Sequence, residues 1–119
     1  MTDLQFKDGR AAVQIEEGVV LSIITPERQE VLDAAKEWSP SYLLHGWDLP
    51  DTQCDEHTYE VAVRRERDGY EYTDSDYLPD EAWEPYSMDD EGDRIFAYIP
   101  RDLVHAFLDA NNVKPVEGT

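Results

Sequence analysis

Between Arg10 and Trp38 the chain holds its densest apolar run, and the spacing inside that run leaves few ways to fold. Val13 and Ile15 alternate with Gln14 and Glu16, the two-residue period of a half-buried strand. After Gly18 comes VVLSII, rich in β-branched residues and too short for an ordinary helix. Two strands this close predict a hairpin. A two-residue turn at Glu17-Gly18 sets Val13 and Ile15 on the face of Val20 and Ser22. A three-residue loop, Glu16-Glu17-Gly18, instead pairs Ile15 with Val19 and Val13 with Leu21, with Gly18 in the left-handed position. The second register is preferred. It gathers the best apolar positions on one face, and a slip of one residue turns them all over. Val20 and Ile24 then fall on the other face, which is expected to be covered in part.

Thr25-Pro26-Glu27 predicts a helix start, with Thr25 as N-cap, Pro26 at the first position and Glu27 complementing the dipole. Arg28 stands where a capping box needs Glu or Gln. Val31, Leu32, Ala35 and Trp38 share a stripe expected to lie on the hairpin, and Ser39-Pro40 ends the helix. Before the hairpin, Leu4 and Phe6 read as edge-strand residues. After the helix, Ser41 to Pro50 is an apolar connector in which Tyr42, Leu43, Leu44 and Trp47 close one end of the core.

Thr58 to Thr73 predicts a second hairpin around Asp68-Gly69, a strong two-residue turn signal. That turn pairs Arg67 with Tyr70, Arg65 with Tyr72 and Glu66 with Glu71. Asp74 to Asp93, DSDYLPDEAWEPYSMDDEGD, reads as a long loop with one helical turn at Asp80 to Trp83, since Pro79 and Pro85 break any long helix. Arg94 to Ile99 is a last strand. Pro100 to Asn111 is a last helix with Leu103, Val104, Phe107 and Leu108 as its core stripe, and residues 113–119 form an extended tail. The whole, residues 1–119, predicts a single α+β domain. It has two layers, an antiparallel sheet of about five strands with two helices packed on one face, in the order ββα-ββ-βα.

Charge bounds function more than any motif does. The formal net charge is −18 on 119 residues, with 28 acids against 10 lysines and arginines. Apolar and aromatic residues still suffice for a core, so the composition is not that of a disordered chain. Two accounts fit the charge. In molar salt the Debye length shrinks to about 3 Å, self-repulsion is screened, and a carboxylate surface keeps a protein hydrated. At ordinary salt the same surface would serve to bind a basic partner. Scarce lysine beside abundant aspartate resembles the composition of proteins from extremely halophilic archaea and their viruses, which favours the first account. The charge is uneven, however. Asp48 to Asp93 holds 17 acids against Arg64, Arg65 and Arg67, which points to a specific acidic surface.

Signals for chemistry are weak. Cys54 and His57 have Cys-x-x-His spacing with His45 nearby, but a structural zinc site brings two close pairs, and here there is one. Asp89-Asp90-Glu91-Gly92-Asp93 lacks the alternation and closing Glu of a calcium-binding EF-hand. His105 falls beside the last helix's core stripe and reads as a partly exposed helix residue. A lone cysteine builds no disulfide framework. There is no nucleophile motif and no Gly-rich phosphate loop. Direct nucleic-acid binding is disfavoured, because phosphate contacts need clustered Lys and Arg. No apolar run is long enough to span a membrane, and the first residues lack a signal-peptide hydrophobic region, so a cytoplasmic location, or a virion if viral, is expected.

The expectation is a non-enzymatic structural or interaction protein of a haloarchaeal-type organism or its virus, virion assembly included. It needs no cofactor. It docks protein partners, whether copies of itself or a larger assembly, through Tyr77, Asp80, Glu81, Trp83, Glu84, Tyr86, Asp89 and Asp90, with aromatics supplying contact area and acids setting register. The alternatives are a DNA mimic or immunity-type inhibitor of a basic protein, and a small metal-assisted enzyme.

Overall fold

The computed structural model of the protein describes residues 4–38, 51–67, 70–73, 78–90, 93–111 and 113–115. Its strands are β1 (Arg10–Glu16), β2 (Val19–Ile24), β3 (Thr58–Arg67), β4 (Tyr70–Thr73), β5 (Ser87–Asp90), β6 (Asp93–Pro100) and β7 (Lys114–Pro115). They form one antiparallel sheet in the order β5-β6-β3-β2-β1-β7, with β4 also paired to β3. Helices α1 (Glu27–Trp38) and α2 (Arg101–Asn111) and a 3-10 helix (Glu81–Tyr86) complete it. This is the expected two-layer α+β architecture, with the five expected strands and two further short ones, β5 and β7.

Alternation builds the core. Val13 pairs with Leu21 and Leu21 with Val63, while Ala11, Ile23, Val61 and Phe96 form the next row on the same face. All of these are buried, and Val104 and Leu108 of α2 and Trp83 of the 3-10 helix close over them. Leu103 and Phe107 pack partly buried beside them, so the stripe expected on the last helix is the one that meets the sheet. Each large aliphatic side chain buried here contributes about 1.5–3 kcal/mol.

The first hairpin combines both registers the sequence allows. The turn is the two-residue one, with Glu16 opposite Val19, and Gly18 is left-handed at φ 77°. A bulge between Gln14 and Glu16 takes up Ile15, which restores Val13 opposite Leu21. The pairing of Ile15 with Val19 is thereby replaced, yet the apolar face is kept, because an extra residue in one strand resets the alternation. The second hairpin has the predicted register throughout, Arg67 with Tyr70, Glu66 with Glu71 and Arg65 with Tyr72.

Three regions differ from expectation. Within 74–93, the helical turn extends over Glu81–Tyr86, capped by the Asp80 carboxylate accepting from the Ala82 N–H at 2.9 Å. Ser87–Asp90 then pairs with β6 instead of looping freely. In the tail, Lys114–Pro115 pairs with β1 at the sheet edge, where a proline is tolerated. Among its described side chains, helix α1 contributes none to the buried cluster; Val31, Leu32 and Ala35 are only half-buried. The core cluster is closed by α2 and the 3-10 helix, and Arg28 and Leu32 of α1 line a cavity that also holds Ser22 and Ala62. Expectations for Ser39-Pro40, the connector 41–50, the Asp68-Gly69 turn itself and residues 74–77, 91–92 and 116–119 lie outside the described residues, as does the Trp38 side chain.

Two short tethers hold the start of α1. Lys7 and Arg10 exchange backbone hydrogen bonds across Asp8 and Gly9, whose φ values of 54° and 78° define a two-residue hairpin turn. The Gly9 carbonyl then accepts from the Thr25 N–H at 2.8 Å and from the Thr25 hydroxyl at 3.2 Å. Thr25 thus latches to the preceding turn as well as to the Glu27 carboxylate, whose acidity that hydroxyl increases.

Candidate functional site

The residues expected to dock a partner separate once folded. Trp83 is fully buried, edge-on to Phe96 at 5.3 Å and to Phe107 at 5.1 Å between ring centroids. It is a core residue, not a surface anchor. The 3-10 helix turns its indole under the sheet, because an indole gains more from burial than from a wet surface. Asp80, Glu81 and Glu84 stay exposed and Tyr86 is half-buried against the core. Asp89 and Asp90 lie on β5, opposite Arg94 and Asp93, with their side chains outside the described residues. Tyr77 also lies outside them.

Met88, which the sequence reading left out of the docking set, is 43% exposed on β5. β5 is the last strand on its side of the sheet among the described residues. A carboxylate-flanked edge strand therefore follows directly on the exposed Glu81 and Glu84.

Cys54 and His57 go to different partners. The Cys54 thiol donates to the Ile24 carbonyl at 3.4 Å, and burial pushes its pKa up to about 11. At neutral pH it is a protonated thiol, a poor metal ligand and a poor nucleophile. The His57 ring is exposed, 3.3 Å from the Glu56 carboxylate. His45 lies outside the described residues. Among the described residues no three His, Cys, Asp or Glu side chains gather as metal ligands, and no helix is long and apolar enough to cross a membrane.

A second polar cluster sits where β3 meets α2. The Tyr59 hydroxyl and His105 Nε2 are 2.8 Å apart, and the Arg101 guanidinium stands 4.7 Å over the Tyr59 ring. Arg101 also donates to the Thr58 and Asp55 carbonyls. Burial raises the Tyr59 pKa, and Arg101 partly offsets that. His105 is thus a partnered residue at the rim of the core. The cluster ties α2 to the loop before β3, and within it the buried His105 Nδ1 has no hydrogen-bond partner among the described residues.

The second face of the sheet holds the feature that linear reading missed. Ala12, Ser22, Ala62, Ile95 and Met88 form one row across five strands by register. The rows beside it carry Arg10, Ile24 and Glu60 on one side and Val20 and Arg64 on the other. Over the small residues of this row opens a cavity of about 520 Å³, to which α1 adds Arg28 and Leu32. Three of the ten cationic side chains of a strongly acidic chain meet here. The Arg10 Nε donates to the Ser22 hydroxyl at 2.8 Å. Glu60 is half-buried with a raised pKa, caused first by burial, and one of its oxygens accepts from the Gln53 N–H at 3.0 Å. The signal was present in the alternate positions of β1 and β3, but Arg28 joins only through the chain's return as α1.

Comparison with protein families, curated proteins and solved structures gives no match to this chain. The functional reading therefore rests on its own geometry.

Proposed function

We propose that this chain is a non-enzymatic interaction protein adapted to molar salt, which docks a basic protein segment along the β5 edge. One observation carries the reading: an exposed methionine on a terminal strand, directly preceded by exposed carboxylates, in the most acidic part of the chain. A terminal strand presents backbone N–H and C=O groups to which an extended segment adds. Met88 supplies an adaptable apolar contact. Glu81 and Glu84 select a basic partner and repel acidic ones, including copies of this chain.

A labelled peptide of alternating lysine and valine, followed by fluorescence anisotropy, tests the docking surface. The triple variant Glu81→Gln, Glu84→Gln, Met88→Ala is expected to weaken binding about tenfold or more, in line with loss of a small hot spot. Removing two acids from α1 instead, Glu30→Gln and Glu37→Gln, should leave affinity within about twofold. Equal weakening in both would mean that net charge alone attracts the peptide, and the docking surface would be abandoned.

Salt adaptation has its own test. Between 0.01 and 1 M salt the Debye length falls from about 30 Å to about 3 Å, which removes most repulsion between separated carboxylates. The urea midpoint of the chain is expected to rise continuously with KCl into the molar range. A midpoint independent of KCl would contradict that half of the proposal.

A further inference from the structure

The cavity on the second face has a floor of small side chains, Ser22 and Ala62, and apolar walls at Ile24, Leu32 and Ile95. Its volume lies within the range of small-molecule sites, about 300–1,000 Å³. Arg28 and Arg64 both line it, and among the described residues neither guanidinium has an ion pair or a side-chain hydrogen bond. In a chain of net charge −18, carboxylate partners are the most abundant side chains available. Two arginines that line one cavity without carboxylate partners among the described residues are placed for an anion that comes from outside. Asp51 and Glu60 line the same space, and Glu60 has one carboxyl oxygen committed to the Gln53 N–H. Its other oxygen can accept from a donor on a ligand. A bare anion would meet repulsion there, whereas a molecule with hydroxyl groups would be held at both ends.

We propose that this cavity binds a small polyhydroxylated oxyanion, its phosphate or carboxylate held by Arg28 and Arg64 and its hydroxyl groups by Glu60. The planar fork of arginine matches either headgroup through paired hydrogen bonds. The row of Ser22 and Ala62 lets the body of the ligand approach the sheet, and the apolar walls pack against its carbons. The site is separate from the β5 edge and stands or falls independently of docking there.

Isothermal titration at a KCl concentration where the chain is folded tests it with three probes that share a hydroxylated body: glucose 6-phosphate, gluconate and glucose. At least one of the two anions is expected to bind saturably in the millimolar range or below, and glucose to bind at least about tenfold more weakly. The tighter anion identifies the headgroup. Arg28→Gln and Arg64→Gln, each checked for an unchanged circular dichroism spectrum, should weaken that binding about tenfold or more, the size expected for a lost charge-assisted hydrogen bond. Glu60→Gln should weaken it less, because an amide still accepts from a hydroxyl. Absence of saturable binding by the unmodified chain, or equal affinity in the folded arginine variants, would overturn the proposal.

Discussion

Trp83→Ala is expected to destabilise the chain by about 3–5 kcal/mol, the range for truncating a fully buried large aromatic. The side chain is wholly buried between Phe96 and Phe107, and both rings meet it edge-on. Ala leaves a cavity that β6 and α2 can close only by shifting toward each other out of their packed positions. Domain stabilities are commonly about 5–15 kcal/mol, so this change alone threatens folding. Trp83→Phe separates packing from polarity. The indole Nε1 is buried with no hydrogen-bond partner among the described residues, and phenylalanine removes that N–H while keeping most of the ring. The smaller ring loses contacts, but the unpaired donor goes with it, so Phe should stay within about 1.5 kcal/mol of the parent. Urea unfolding followed by circular dichroism measures both. If Trp83→Ala unfolds at the parent midpoint and loses only affinity for a partner, Trp83 is a surface anchor after all.

The second large effect concerns a residue without a side chain. Gly9→Ala is expected to cost about 3 kcal/mol or more. Gly9 has φ 78°, where an L-residue pays about 1–2 kcal/mol. An added Cβ would also stand 2.2 Å from the backbone nitrogen of Arg28 and 2.7 Å from its Cα. Those atoms belong to the first turn of α1 and have no flexible end to swing away, so overpacking adds about 1–3 kcal/mol. Asp8→Gly is the useful partner change. Asp8 is also left-handed, at φ 54°, but it is exposed, so relief of strain and added chain entropy should nearly cancel. The same urea experiment checks both, and a Gly9→Ala chain as stable as the parent would mean that α1 does not sit against this turn.

These two residues also mark where linear reading failed. Asp8-Gly9 carries the same turn signal as Asp68-Gly69, yet the latter is flanked by long alternating strands and the former only by Leu4 and Phe6 on its N-terminal side. Without a visible partner strand the signal has no context. Trp83 was read as an exposed anchor because the acids around it are exposed. A 3-10 helix of six residues has three residues per turn, and that period sets Trp83 and, three positions on, the half-buried Tyr86 toward the core while the acids face water. So short a segment gives no periodicity from which to choose the inward positions. The strand Ser87–Asp90 escaped notice for a related reason: two of its four residues are aspartates, which disfavour strands until a neighbour fixes them.

Elsewhere the local code was sufficient. Strand alternation in 10–24 and 58–67, the left-handed Gly18, the Arg65 and Arg67 pairings with Tyr72 and Tyr70, and the Leu103, Val104, Phe107 and Leu108 stripe all follow from side chains within a few residues of one another. Secondary structure and the α+β class were legible in the chain because period and turn chemistry are short-range properties. The order of strands, the burial of Trp83 and the placing of Arg28 and Arg64 on one cavity over Ser22 and Ala62 were not. Each depends on which distant surfaces close against each other, and that choice is made by the packing of the whole core.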